Sequence, residues 1–161
     1  MSLIMNRRTL IVSTAALAFA APQLARASEV EVQMLNKHPE DKKKRMIFEP
    51  LITVVQPGDT VNFVAVDKGH NSEAIKGMVP DGVEIWKGKI SKDIAVTFDK
   101  PGLYGYKCTP HASIGMVGLV ICEGEGKLDN LEAAKGVKQR GKAKKVFREI
   151  WAQAEADGLL A

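Results

Sequence analysis

Residues 101–122 read PGLYGYKCTPHASIGMVGLVIC, two apolar stretches with a short polar loop between them. Each stretch has the β-branched and aromatic composition of a strand, and a Pro-Gly turn leads into the first. The loop carries Cys108, His111 and Met116, with the spacing Cys-x2-His-x4-Met. A thiolate, an imidazole and a thioether are the soft and borderline ligands that suit copper. The segment therefore predicts a pair of strands that carries a metal ligand loop.

Outside this segment, short apolar stretches alternate with turn signals along most of the chain. Apolar and polar residues alternate with a period of two in several of them, which is typical of half-buried strands. The predicted strands cover residues 30–35, 46–55 with a break at Pro50, 60–66, 94–98, 103–108 and 116–122. Residues 69–88 are rich in Gly and Pro and predict irregular connections. Several short strands separated by turns predict an antiparallel sandwich or barrel.

Helical periodicity appears only in the C-terminal part of the chain. Residues 128–135 predict a short helix, and residues 142–157 predict a longer one whose apolar side chains recur every three to four positions. The length of 161 residues is that of a single domain. We therefore expect one all-β domain at residues 28–161, with a sandwich at 28–123 and a helical extension at 124–161.

The first 27 residues have the pattern of a cleavable secretory signal. Arg7 and Arg8 precede an apolar run at residues 9–21, and small residues follow at Ala25 and Ala27. The run is shorter than the roughly 20 apolar residues of a membrane anchor. We therefore expect cleavage after Ala27 and a mature periplasmic protein without a membrane segment. The arginine pair permits twin-arginine export as well as the general route.

The net charge of the whole chain, +4, is concentrated in this signal. The first 27 residues carry three arginines and no acid, which leaves 20 basic against 19 acidic residues in the rest. Such a balance lacks the basic footprint of a nucleic-acid-binding protein. Hydrophobic residues make up 45% and charged residues 26% of the chain, so a disordered or collagen-like protein is also disfavoured.

A copper site of this kind needs a second imidazole. The chain has three histidines, of which His38 lies in a charged loop, whereas His70 follows a predicted strand in the sequence DKGHN.

Two other interpretations stay open from the residues alone. Cys108 and Cys122 could form a disulfide in a redox thiol protein, although the Cys-x2-Cys spacing is absent. The site could also serve a copper-binding and delivery module.

The sequence resembles the cupredoxins, or type 1 blue copper proteins, and within them the pseudoazurins. The matching stretches are VQMLNK, FEP, PGDTVNF, DKGHN, IKGMVPDG, VTF, PGLYGYKCTPH and GMVG. The two predicted helices fit this group better than the smaller plastocyanins or amicyanins. The resemblance implies a Greek-key β-sandwich of about eight strands followed by two α-helices. Cys122 departs from the pattern, since an ordinary apolar residue is expected there.

The resemblance implies one copper ion that alternates between Cu(II) and Cu(I). The four implied ligands are His70, Cys108, His111 and, as a long axial ligand, Met116. The backbone N–H of Asn71 is the implied hydrogen-bond donor to the cysteine sulfur. Pro110 has no backbone N–H, which limits a second donor near the sulfur. Both residues are therefore expected to tune the reduction potential.

The resemblance further implies an electron carrier rather than an enzyme, a monomer that docks briefly on other redox proteins. Copper nitrite reductase and cytochromes of denitrification are the implied partners, and electrons would leave through the edge of His111. Docking is expected to use an apolar rim and a ring of lysines at the copper end. The rim residues are Met78, Pro80, Pro110 and Ala112, and the lysines are Lys37, Lys68, Lys76 and Lys107.

Overall fold

The computed structural model describes residues 27–161, so the predicted signal peptide lies outside the described residues except for Ala27. The described chain forms eight strands, a 3-10 turn and two α-helices. The strands are β1 (Glu29–Lys37), β2 (Arg45–Glu49), β3 (Ile52–Val55), β4 (Asp59–Val64), β5 (Glu73–Ala74), β6 (Ile94–Phe98), β7 (Gly102–Lys107) and β8 (Val117–Cys122), the 3-10 turn is Ala112–Ile114, and the helices are α1 (Leu131–Gly136) and α2 (Ala143–Ala156). The predicted sandwich with two C-terminal helices is confirmed. No helix within this range is both long and apolar enough to span a membrane.

The strands form two four-stranded sheets with the orders β2-β1-β4-β6 and β3-β8-β7-β5. The chain passes from the first sheet to the second at residues 50–51, between β2 and β3. Two pairings are parallel, β1 with β4 and β3 with β8. The prediction of antiparallel sheets is wrong for these two pairs. Parallel neighbours need a crossover connection, and the passage of the chain through both sheets supplies it.

The inner faces of the two sheets enclose an aromatic core. In β4, Val61 and Phe63 are fully buried and alternate with half-buried residues, as a period of two requires. The ring of Tyr106, in β7, packs edge to face on Phe48 and Phe63 of the first sheet, with centroids 4.7 and 4.9 Å apart. Cys108 belongs to the same buried cluster. The packing of β7 on the first sheet therefore also fixes the position of this cysteine.

Helix α2 packs on the β3-β8-β7-β5 sheet. Its buried residues Phe147, Ile150 and Ala154 recur at spacings of three and four, which places them on one face of the helix. They join a cluster that includes Leu119 and Ile121 of β8. Every residue of β8 is buried, because this strand has the core on one side and the helix on the other.

Helix α1 begins later than the sequence predicted. The segment before it, residues 124–130, consists of turns with bonds of the i to i+3 kind, such as Asp129 N–H to the Gly126 carbonyl (3.0 Å). Asn130 ends this segment by fastening it to β7: its Oδ1 accepts from Leu103 N–H (3.0 Å) and its Nδ2 donates to the Leu103 carbonyl (2.8 Å). These bonds to the sheet hold the turn conformation in place of a first helical turn.

The two cysteines are both buried and neither forms a disulfide. The Cys122 Sγ lies 3.6 Å from the carbonyl oxygen of Phe98, as a weak S–H donor. Burial, reinforced by nearby acidic groups, raises the pKa of Cys122 to about 11, so this thiol stays protonated. The disulfide interpretation is therefore wrong, and Cys122 packs as a small apolar residue at the end of β8.

Candidate metal centre

The predicted ligands lie in two connections of the sandwich. His70 lies between β4 and β5, and Cys108 directly follows β7. His111 directly precedes the 3-10 turn, and Met116 directly precedes β8. The Cys108 N–H donates to the Met116 carbonyl oxygen (3.0 Å), which closes the ligand loop at its base. The β7–β8 ladder thus holds the two ends of this loop side by side.

Three donor atoms form a compact triangle in these connections. The Nδ1 atoms of His70 and His111 are 3.1 Å apart, and the Cys108 Sγ lies 3.7 Å from the first and 3.5 Å from the second. The point equidistant from all three lies about 2 Å from each, close to the length of a bond from an imidazole nitrogen to a transition-metal ion. Among the described residues, these three side chains alone form a His, Cys, Asp or Glu group that could hold a metal ion. The donor set fits copper.

Met116 is held next to this triangle by the backbone of the loop. Its side chain is fully buried and belongs to the same core cluster as Cys108. Its N–H donates to the His111 carbonyl oxygen (3.1 Å). A thioether is the weak ligand that accompanies two imidazoles and a thiolate in type 1 copper sites. Together with His70, these residues have the pattern of such a site.

Burial governs the ionisation of the ligands. It lowers the pKa of His70, and the neighbouring His111 ring lowers it further, so the imidazole stays neutral and able to bind a metal. Burial raises the pKa of the Cys108 thiol, while hydrogen bonds from the backbone N–H groups of Asn71 and His111 act against this rise. A metal binds the thiolate form, so metal binding at this site releases a proton.

Asn36, in β1, orients the His70 ring. Its Oδ1 lies 2.9 Å from the His70 Nε2 and, as an amide oxygen, accepts a hydrogen bond from the N–H of that nitrogen. With Nε2 protonated, Nδ1 is the unprotonated nitrogen that faces Cys108 and His111. This role was not predicted, because a single asparagine in a strand has no motif of its own. The one sequence feature that pointed to Asn36 was its position in the matching stretch VQMLNK.

Asn36→Ala is expected to lower copper affinity about 10- to 100-fold, because the His70 ring loses the acceptor that fixes its tautomer. Competition with a copper chelator measures this change. Asn62→Ala is the matched control, since the Asn62 side chain contacts Glu29 at the surface of the same sheet. Equal affinities of the two variants would contradict the orienting role.

A second asparagine ties the two ligand connections together. The Thr109 N–H donates to Asn71 Oδ1 (2.8 Å), and the Asn71 Nδ2 donates to Thr109 Oγ1 (3.0 Å). The Thr109 hydroxyl in turn donates to Glu73 Oε2 (2.6 Å). Asn71 follows His70 and Thr109 follows Cys108, so this bridge sets the separation of the two ligands. Thr109 and Glu73 were not predicted, because their contacts cross between connections far apart in sequence.

Two residues predicted for the exposed apolar rim are buried instead. Met78 is 1% exposed and fills the space above Gly105 of β7. Pro80 is buried against Gly102 at the start of the same strand. The prediction that Met78 and Pro80 are exposed is wrong, because two glycines of β7 leave room that these side chains occupy.

The surface around His111 is formed by the ligand loop itself. His111 and Ala112 are half-buried, and Pro110 is exposed. Ile114, in the 3-10 turn, is 47% exposed and was not predicted. An apolar residue between two ligands resembles a core residue in sequence, and only the loop conformation shows that it faces solvent.

Positive charge lies around the two connections, but part of it is neutralised. Three of the predicted lysines are exposed: Lys37, Lys68 and Lys76. The Nζ of Lys107 lies 3.9 Å from one oxygen of Glu73, and that of Lys87 lies 3.8 Å from the other. A cleft between the ligand loop and the α1–α2 linker adds two cations that were not predicted, Lys138 and Arg140.

Comparison with known proteins agrees with this geometry. Residues 32–123 match the family described as copper binding proteins, plastocyanin/azurin family. The chain is 42% identical over 149 residues to the pseudoazurin of Methylorubrum extorquens, covering 92% of this chain and 97% of the relative. It is 48% identical over 132 residues to the pseudoazurin of Paracoccus pantotrophus, covering 82% and 86%. The crystal structure of pseudoazurin from Methylobacterium extorquens AM1 has a TM-score of 0.71 at 45% identity, covering 78% of this chain and 98% of that one. The chain therefore belongs to the pseudoazurin family of the cupredoxins, copper proteins that carry electrons and are not enzymes.

Proposed function

We propose that His70, Cys108, His111 and Met116 hold the single copper ion with which the protein exchanges electrons. The observation that carries this proposal is the triangle of two imidazole nitrogens and one sulfur around a point about 2 Å from each. When bound, copper supplies the one-electron couple Cu(II)/Cu(I). The protein keeps the donor atoms in place through the core packing of β7 and the bonds of Asn36, so little has to move when an electron arrives.

We propose that electrons enter and leave through the exposed edge of His111. Its Nδ1 faces the other two donor atoms, and the residue as a whole is half-buried. The apolar residues beside it are Pro110, Ala112 and Ile114. A small apolar patch of this kind suits brief contact with a redox partner, because electron-transfer encounters use small interfaces.

We propose that the mature protein is residues 28–161, a monomer in the periplasm. The signal pattern at the N-terminus supports this location. The proposed partners are copper nitrite reductase and cytochromes of denitrification, as the resemblance to the pseudoazurins implies. The exposed lysines near the ligand connections suit an acidic face on such a partner.

The colour of the copper-loaded protein tests the proposed ligation. With Cu(II), the protein is expected to show an intense blue or green colour from charge transfer between thiolate and copper. A protein that binds Cu(II) and stays colourless would contradict the ligand set. Reduction in the presence of a Cu(I) chelator then distinguishes an electron carrier from a copper delivery module. An electron carrier keeps its copper under these conditions, whereas a delivery module releases it.

Lys68→Glu is expected to slow electron transfer to nitrite reductase several-fold at low ionic strength and to flatten its salt dependence. The reason is that a positive patch facing an acidic partner speeds the encounter, and salt screens this gain. Stopped-flow rates at several salt concentrations measure the effect. Lys107→Glu should act in the same direction, although Glu73 already neutralises part of that charge.

Lys144→Glu is the control, because Lys144 is an exposed residue of α2 and the charge change is the same. This variant should leave the rate nearly unchanged, and all three variants should keep the copper spectrum. Equal slowing by the Lys68 and Lys144 variants would show that net charge, rather than a docking face, governs the reaction.

A further inference from the structure

The ligand loop is held in place by the segment that leads into helix α2. Ser113 lies in the 3-10 turn between His111 and Met116. Its carbonyl oxygen accepts a hydrogen bond from the Lys142 N–H (2.8 Å). Ser113 is the second residue after His111 and the third before Met116, so this bond holds the middle of the loop.

Gly141 permits this close approach because it has no side chain. Its φ is +58°, in the left-handed region. A Cβ at this position would overlap the carbonyl oxygen of Ser113 and lie 3.1 Å from its carbonyl carbon. Glycine meets both requirements, the backbone conformation and the absence of a Cβ. The backbone of the α1–α2 linker is therefore packed directly on the backbone of the ligand loop.

Helix α2 touches the same loop a second time at Gly115. A Cβ on Gly115 would lie 3.1 Å from the Val146 Cγ2 and 3.5 Å from the Lys142 Cβ. The residue before the helix thus meets the loop at Ser113, and the helix itself meets it two residues later, directly before Met116.

The helix is a firm support for these contacts. Phe147, Ile150 and Ala154 are at most 3% exposed and pack in the cluster of β8 residues. Strand β8 begins directly after Met116. The loop is therefore confined between the sheet that carries its ends and the helix that packs on that sheet.

Contacts inside the loop connect Ser113 to both ligands. The His111 carbonyl oxygen accepts from the N–H of Ile114 (3.1 Å) and from the N–H of Met116 (3.1 Å). A displacement of the turn at Ser113 therefore changes the backbone bonds of His111 and of Met116 together.

We propose that Gly141 and the Lys142 N–H are positioning elements for the copper ligands, so that the helical extension helps to set the redox behaviour of the site. By fixing Ser113, they fix where His111 and Met116 lie relative to Cys108. The inference rests on the proposed copper ligation. It assigns to the C-terminal extension a part in the metal centre as well as in the stability of the fold.

Gly141→Ala tests this inference, with Gly158→Ala as the matched control. Gly158 has a φ of +71°, and a Cβ there would have nothing within 4 Å, so its alanine carries only the backbone penalty. Both variants are expected to lower the Tm of the metal-free protein. Only Gly141→Ala is expected to change the relative intensities of the thiolate-to-copper bands, to shift the reduction potential and to slow electron self-exchange several-fold.

A wild-type spectrum and potential in Gly141→Ala would overturn the inference, as would equal changes in Gly158→Ala. A wild-type protein that stays colourless with Cu(II) would instead refute the ligation on which the inference rests. Val146→Ala provides a second test that introduces no collision. In the metal-free protein it should speed amide hydrogen exchange at residues 113–116 several-fold and leave β1 unchanged; unaltered exchange in the loop would also overturn the inference.

Discussion

Cys108→Ser is expected to abolish the visible colour of the copper-loaded protein. The thiolate is both a metal ligand and the source of the charge-transfer band, and the serine hydroxyl does not replace it in either role. The fold should survive, because the hydroxyl occupies the same buried position beside the Nδ1 atoms of His70 and His111. We expect a stability cost of about 1–3 kcal/mol from the altered buried polar group.

Cys122→Ser is the matched control for this change. Cys122 is the other buried cysteine, and its sulfur contacts the Phe98 carbonyl oxygen rather than the histidines. The control should lose some stability and keep the full visible band. Absorption spectra and thermal unfolding of both variants measure these effects. A band that persists in Cys108→Ser, or disappears in Cys122→Ser, would contradict the assignment of the sulfur ligand.

Met116→Gln should keep the copper and the colour but lower the reduction potential. An amide oxygen is a harder donor than a thioether and favours Cu(II) over Cu(I). We expect a decrease of more than about 59 mV, which corresponds to a tenfold change in the relative affinity for the two oxidation states. Met116 is fully buried, so water does not screen this difference.

Met116→Leu is the companion variant, with the opposite expected sign. Leucine has nearly the volume of methionine, so the packing cost is small. It removes the axial donor, which weakens the stabilisation of Cu(II) and should raise the potential. Voltammetry of the two variants compares them directly. Shifts in the same direction, or no shift in either, would contradict an axial role for Met116.

Most of the sandwich could be predicted because alternating burial is visible in the sequence. β4 is an example, since Val61 and Phe63 alternate with more exposed residues. β5 was missed, because its two residues, Glu73–Ala74, are too few to have a periodicity. The parallel pairings were missed for another reason. Sequence periodicity shows which face of a strand is buried, but it does not identify the strand beside it.

The metal ligands could be predicted because three of them share one short loop and their spacing is a motif. The residues that position these ligands could not be predicted from the sequence. Asn36 acts from β1 on His70, and this contact depends on the pairing of β1 with β4. Met78 was predicted on the surface for a similar reason, since its burial depends on Gly105 of β7, which is distant in sequence.

The parallel pairings of β1 with β4 and β3 with β8 also bear on the order in which the site assembles. Such pairs join distant parts of the chain, and topologies dominated by distant contacts fold slowly, in milliseconds to seconds. His70 lies where the chain passes from one sheet to the other, and Cys108 follows a strand of the second sheet. The donor atoms therefore meet only after both sheets have formed. We therefore expect the folded, metal-free protein to take up copper without refolding.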